Sequence, residues 1–194
     1  FALLREMQKA MTDSVGIFRS GERLAEAGTQ LQQLLVRSRD TGLRSQARGA
    51  NPELVAAYRL PRMLKLALCV AQGALARTES RGAHFRSDFP VRNDRDWLAR
   101  TLATWPDPDA TLPVLAYEPL DVRRMEMPPG WRGYGAKDYI DHPDTPARQA
   151  EVEQVRAATA GAGRHAQQQA LMPWEHQLPP RLRGRNARLG DHDT

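Results

Sequence analysis

The chain has 194 residues and a formal net charge of +5, and all but three of its basic residues (Lys9, Lys65 and Lys137) are arginines. No apolar run approaches the ~20 residues of a bilayer span, and the start lacks the basic stretch and long apolar core of a secretion signal; a soluble chain is expected, meeting a membrane only through a partner. The single Cys69 excludes an internal disulfide, the scattered histidines lack metal-site spacing, and arginines mixed with Asp and Glu along the chain do not make the basic face of a nucleic-acid binder.

Phe1 opens the sequence without a methionine, and the helical pattern begins at once, as though entered from a longer chain. Leu3, Leu4, Met7, Ala10, Met11 and Ser14 keep the three-and-four spacing of an amphipathic helix over residues 2–14. Gly16 interrupts it. Ser20 is a natural N-cap for a second helix, Glu22 suits its positive end, and Leu24, Ala27, Leu31, Leu34 and Leu35 carry the period to about Ser38. Residues 40–50, with two glycines, read as a loop. Asn51-Pro52-Glu53 then combines a cap, a pre-set first helical residue and an acid for the dipole. The helix that follows is apolar on most faces, as a central helix is. Pro61 predicts a kink or a break within it. An end near Ser80 is expected, with Gly82 in the left-handed conformation and Arg77 and Arg81 at the negative pole.

A short helix is predicted over 94–104, capped by Asn93 or Asp94, with Trp97, Leu98, Thr101 and Leu102 on its buried side. From Trp105 to Tyr134 prolines are frequent and the helical period is lost; Leu112–Glu118 reads as a strand and Val122–Met127 as a weaker one. Thr145-Pro146 opens a further helix of about fifteen residues, and 170–194 reads as an extended tail rich in Pro, Gly and Arg. The expected organisation is a helical bundle over 1–104, a Pro-rich segment with a short β element over 105–143, and a C-terminal extension over 144–194. The fold class is mainly α.

The densest polar segment is 77–97. His84 beside Asp88 could serve as a general acid or base, but a lone histidine without a paired nucleophile is weak evidence for catalysis. The structural reading is favoured: an ion-pair and hydrogen-bond network pinning a loop between two helices. Ser80 and Ser87 lack the context of a catalytic serine. Gly130-Trp131-Arg132-Gly133-Tyr134-Gly135 has no lysine after its last glycine and fails as a phosphate loop. Cys69, in an apolar stretch, reads as a buried structural thiol.

Glu79-Ser80-Arg81-Gly82-Ala83-His84, followed by Arg86, Asp88, Pro90, Arg92, Asp94 and Trp97-Leu98, resembles the signature of the C-terminal helical domain in succinate dehydrogenase/fumarate reductase flavoproteins. Val15-Gly16-Ile17-Phe18-Arg19 and Leu64–Ala71 are similar to that family as well. L-aspartate oxidases carry a similar Ser-Arg-Gly-x-His segment. The tail motifs, from Leu115-Ala116-Tyr117-Glu118 through Arg132-Gly133-Tyr134-Gly135 to Arg185–Gly190, look closest to menaquinol:fumarate reductases.

The resemblance implies a spectrin-like helical bundle with a short β element and an extended tail. It implies a parent subunit that holds FAD and interconverts fumarate and succinate. Its partners would be its own FAD-binding and capping domains, an iron–sulfur subunit and, indirectly, a membrane anchor, on the cytoplasmic side of a bacterial inner membrane. No residue here matches the family's catalytic, FAD-binding or metal positions, so the fragment alone is expected to be inactive and to bind no FAD. Arg81, His84, Arg86, Asp88 and Arg92 are the expected structural and interface residues. The competing readings are a stand-alone arginine-rich interaction module and the helical domain of an L-aspartate oxidase.

Overall fold

A computed structural model describes residues 1–45, 49–122, 140–163, 166 and 170. Its described elements fall into two units, Phe1–Pro119 and Leu120–Thr194. The first unit holds α1 (Ala2–Ser14), β1 (Phe18–Arg19), α2 (Gly21–Ser38), α3 (Pro52–Ala76), β2 (Phe85–Arg86), α4 (Asp94–Trp97), β3 (Ala99–Thr104) and β4 (Val114–Pro119). The expected boundary after residue 104 falls between β3 and β4, which pair with each other.

The helix starts follow the caps in the sequence. Ser20 Oγ accepts from the Arg23 N–H at 3.4 Å, and Asn51 Oδ1 accepts from the Leu54 N–H at 3.1 Å. Replacing Asn51 by alanine leaves that N–H to water, and a loss of about 1 kcal/mol is expected in urea unfolding. Three helices share one core. Met7 and Ala10 of α1 meet Leu24, Leu31, Leu34 and Leu35 of α2, and the layer closes on Leu64, Leu68 and Ala71 of α3. These are the periodic apolar positions, so the hydrophobic pattern and the packing agree.

Three expectations are corrected. First, α3 is not buried all round, and of the kink or break expected at Pro61 no break occurs. Leu60, Leu64, Ala67, Leu68, Ala71 and Ala74 face the core, while Leu54, Tyr58 and Leu66 stay exposed. Second, α3 stops at Ala76, with Arg77 already extended. Gly82 does take a positive φ of 56°, but inside the tight turn where Arg81 and His84 bridge each other, not as the helix cap. Third, the helix predicted over 94–104 is a single turn. Asn93 caps it, its Oδ1 accepting from the Asp96 N–H at 3.2 Å, and it ends at Trp97.

Residues 99–104 are instead β3, antiparallel to β4 with Thr101 opposite Tyr117 and Leu102 opposite Ala116. A strand partner fifteen residues downstream overrides weak local helix preference. Leu98 is buried as expected, but Leu102 is exposed.

β1 and β2 make a short parallel pair, Phe18 beside Phe85 and Arg19 beside Arg86. The loop after β3 is tied down by Lys65 Nζ, which donates to the Pro108 carbonyl at 2.6 Å, and by Arg39, which donates to the Asp109 carbonyl at 2.7 Å. Cys69 is partly buried and accepts from the Trp105 indole N–H at 3.2 Å.

In the second unit α5 spans Thr145–Ala158. Asp144 is its N-cap residue; Thr145 lies just inside, its hydroxyl donating to the Ile140 carbonyl at 2.9 Å. Val122, Ile140 and Val152 are buried. The weaker strand expected over Val122–Met127, the Gly130–Gly135 turn and the Arg185–Gly190 motif lie, apart from Val122, outside the described residues, while the Leu115–Glu118 motif forms part of β4. No helix among the described residues is long and apolar enough to cross a membrane.

Candidate functional site

The polar residues of 77–97 form two linked clusters around the exit of α3. The first is centred on Glu79, whose side chain is fully buried. Arg77 leaves the last turn of α3 and reaches Glu79, the Trp97 carbonyl at 2.9 Å and the Ala99 carbonyl at 2.6 Å. Arg81 grips both Glu79 oxygens, at 2.7 and 2.9 Å, and donates to Asp94 Oδ1 at 2.8 Å. Arg92 pairs with the same Asp94 oxygen, and the Asn93 N–H donates to Glu79 Oε2 at 2.9 Å. Two buried carboxylates and three arginines thus bind the end of α3, the start of α4 and the start of β3 into one body. Burial alone pushes the Glu79 carboxyl up, but Arg81, the Asn93 N–H and Arg77 outweigh it and hold it below its ordinary value.

The second cluster is the Arg86–Asp88 pair. Arg86 is buried and donates Nη1 to the carbonyls of Ala74 and Leu75, both at 2.9 Å, and of Arg77 at 3.2 Å. These carbonyls lie at the C-terminal end of α3, which has no intrahelical donors for them. The other edge of the guanidinium meets Asp88 in a bidentate pair at 2.7 and 2.6 Å. Asp88 Oδ2 then accepts from the Gly21 N–H at 3.0 Å, at the first residue of α2. One ion pair therefore places a cation at the negative pole of α3 and an anion at the positive pole of α2. A Cβ on Gly21 would lie 3.0 Å from both Arg86 Nη2 and Asp88 Oδ2, so any larger residue there would press on the pair. The Arg86 hydrogen bonds hold the Asp88 carboxyl far below the usual carboxylate range.

His84 sits apart from Asp88. Its Nδ1 lies 2.7 Å from Arg19 Nη1, and a guanidinium can only donate, so Nδ1 accepts and the neutral ring carries its proton on Nε2. Arg19 also donates Nε to the Gly16 carbonyl at 2.7 Å. Burial, then Arg19, hold the imidazole below its ordinary pKa, against the Arg77 carbonyl, which favours the proton. The general acid/base pairing of His84 with Asp88 is not formed.

Of the five residues expected from sequence, Arg81 and Arg92 join the first cluster, Arg86 and Asp88 make the second, and His84 links the 81–84 turn to β1. Sequence reasoning passed over Arg77, Glu79 and Asp94 as site residues, although Glu79 and Asp94 are the carboxylates that the arginines surround. The available signal was their alternation with arginine through the segment.

Among the described residues no group of His, Cys, Asp and Glu could hold a metal ion. Nor do the described residues build a strand–glycine–helix cradle for a dinucleotide phosphate. β1 and β2 are two residues long, and the positive-φ glycine lies in the 81–84 turn, not between a strand and a helix where a dinucleotide phosphate would rest.

A helical core whose polar clusters occupy the Ser-Arg-Gly-x-His segment agrees with comparison to known proteins. The family model described as "Fumarate reductase flavoprotein C-term" matches residues 4–134. The chain belongs to this family. The fumarate reductase flavoprotein subunit of Helicobacter pylori is 45% identical over 197 residues, covering 100% of this chain and 27% of the relative. The succinate dehydrogenase flavoprotein subunit of Bacillus subtilis is 31% identical over 71% of this chain and 23% of its own length. A mutant FrdA of E. coli quinol fumarate reductase superposes with a TM-score of 0.62 at 31% identity, over 70% of this chain and 23% of that one. The chain thus spans about a quarter of the flavoprotein subunits it matches and corresponds to their C-terminal part. The fold class, a helical domain with a small β element, is that of the matched structures.

Proposed function

We propose that this chain is the C-terminal helical domain of a respiratory flavoprotein subunit that interconverts fumarate and succinate on FAD. Electrons would pass to or from an iron–sulfur subunit and quinone, and the complex would sit peripherally on the cytoplasmic side of a bacterial inner membrane. The observation carrying this reading is 45% identity to the H. pylori fumarate reductase flavoprotein subunit, over the whole of this chain and 27% of that subunit. The family's FAD-binding and capping domains would supply flavin and catalytic groups; this chain supplies a rigid support and no chemistry of its own.

In this reading Arg81, His84, Arg86, Asp88 and Arg92 act through shape. They fix the exit of α3, the entry of α2 and the turn between them, and so hold the domain's surface for the rest of the subunit. The test is made on the full-length subunit in its complex. The wild type is expected to carry flavin and to reduce fumarate with a reduced dye. Arg81→Ala is expected to lower flavin content and complex yield together. A wild type without fumarate reduction defeats the enzyme assignment; unchanged flavin and yield in the variant defeat the structural role.

A further inference from the structure

β1 is held to the 81–84 turn by a contact that requires an uncharged histidine. The neutral His84 ring offers Nδ1 as acceptor, and Arg19 Nη1 donates to it at 2.7 Å. A guanidinium has donors only, so a proton on Nδ1 sets donor against donor and cation against cation. The other ring nitrogen gives no relief. Nε2 is sealed from solvent and makes no hydrogen bond of regular geometry, although the Arg77 carbonyl favours a proton there. The charges facing the ring all have one sign: Arg19 from β1, Arg77 from the exit of α3 and Arg86 from β2 each oppose protonation. On the ring's own turn, Arg81 is engaged by Glu79 and Asp94. The Asp88 carboxylate is engaged by Arg86 and the Gly21 N–H. Among the described residues no carboxylate pairs with His84.

The segment that Arg19 fastens has few other ties to the rest of the unit. The Arg19 carbonyl accepts from the Ser87 N–H at 2.8 Å and from the Ser87 hydroxyl at 3.0 Å. Phe18 meets Phe85 edge-on, with 5.8 Å between ring centroids, and is otherwise exposed, as Ile17 is. The Arg19 Nε bonds to the Val15 and Gly16 carbonyls are local to the segment. Its two ends are fixed. Val15 is buried in the three-helix core, and Gly21 is held by Asp88. Residues 16–19 therefore form a strap between two anchors, and lifting it unwinds neither α1 nor α2.

We infer that residues 16–19 are an acid-released strap: protonation of His84 expels Arg19 from the 81–84 turn and parts β1 from β2, while the three-helix core stays folded. The Glu79 and Asp88 ion pairs persist through this step, because their carboxylates stay ionised above about pH 4. The inference uses only this chain's own residues and stands apart from the enzyme assignment. It is tested by hydrogen exchange with mass spectrometry on the full-length subunit in its complex, from neutral pH to about pH 5, corrected for the intrinsic pH dependence of amide exchange. Peptides covering 16–19 and 84–88, the Ser87 amide among them, are expected to lose protection several-fold toward acid. Peptides around Leu31 in α2 and Leu68 in α3 should keep theirs. His84→Asn retains an acceptor near the place of Nδ1, and Arg19→Gln replaces the cation by an amide that can face either protonation state of the ring. Each variant is expected to flatten the profile, and either decides the matter if the other fails to fold by circular dichroism. A wild-type strap profile as flat as that of the core, a loss shared by the core, or a loss unchanged in a folded variant overturns the inference.

Discussion

Replacing Arg86 by alanine is expected to destabilise the helical unit by about 3–5 kcal/mol in urea unfolding, the loss typical of breaking a buried ion pair from one side. The magnitude follows from what the guanidinium touches. It satisfies carbonyls of Ala74, Leu75 and Arg77 and holds Asp88 by both oxygens. Removing it strands acceptors at the end of α3 and frees Asp88 from the start of α2. Arg86→Lys keeps the charge but cannot span both sets of acceptors, so only part of the stability should return. Asp88→Asn should cost less than Arg86→Ala, because Arg86 keeps its three helix carbonyls and the Asp88 side chain is partly solvent-facing. Equal losses for Arg86→Ala and Asp88→Asn would show that the helix carbonyls contribute nothing.

This arrangement explains which parts of the fold could be read from sequence. α1, α2 and the start of α3 were legible because their information is local: a period of apolar residues and a cap at each start. Ser20 and Asn51 need only the residues that follow them. The end of α3 was misjudged because its cap is not local. The donor that closes it is Arg86, ten residues beyond Ala76, and the arginines expected to do so, Arg77 and Arg81, turn instead to Glu79. The segment after Trp97 was misjudged for a related reason, since β3 is defined by pairing with β4 across a loop. The alternation of charges marked 77–97 as a polar network, but only geometry could divide it into two clusters and separate His84 from Asp88. The open face of α3 was hidden by composition: a helix apolar on most sides looks central, whether its second side meets its own domain or another.

Glu79→Gln is expected to cost about as much as Arg86→Ala, about 3–5 kcal/mol near neutral pH, and to change how stability depends on acid. A glutamine cannot accept from Arg77, Arg81 and the Asn93 N–H with two charged oxygens, and its amide donors would face guanidinium groups, which are also donors. Arg81 retains Asp94, but Arg77 keeps only backbone and Thr101 acceptors. The pH dependence has two limbs with one sign. His84 is held below its ordinary pKa in the fold, so below about pH 6.5 the unfolded chain takes up a proton that the folded one refuses, and stability begins to fall. Glu79 and Asp88 are held below theirs, so their contribution is complete above about pH 4 and is lost as pH drops through the lowered folded values. Urea midpoints between neutral and acid pH should therefore descend in two stages for the wild type. Glu79→Gln should start lower and descend less below about pH 4, where Asp88 alone of the two remains. His84→Gln should remove the earlier stage and leave the later one. A Glu79→Gln curve running parallel to the wild type through the acid range would mean that the buried carboxylate is not the proton acceptor that the geometry makes it.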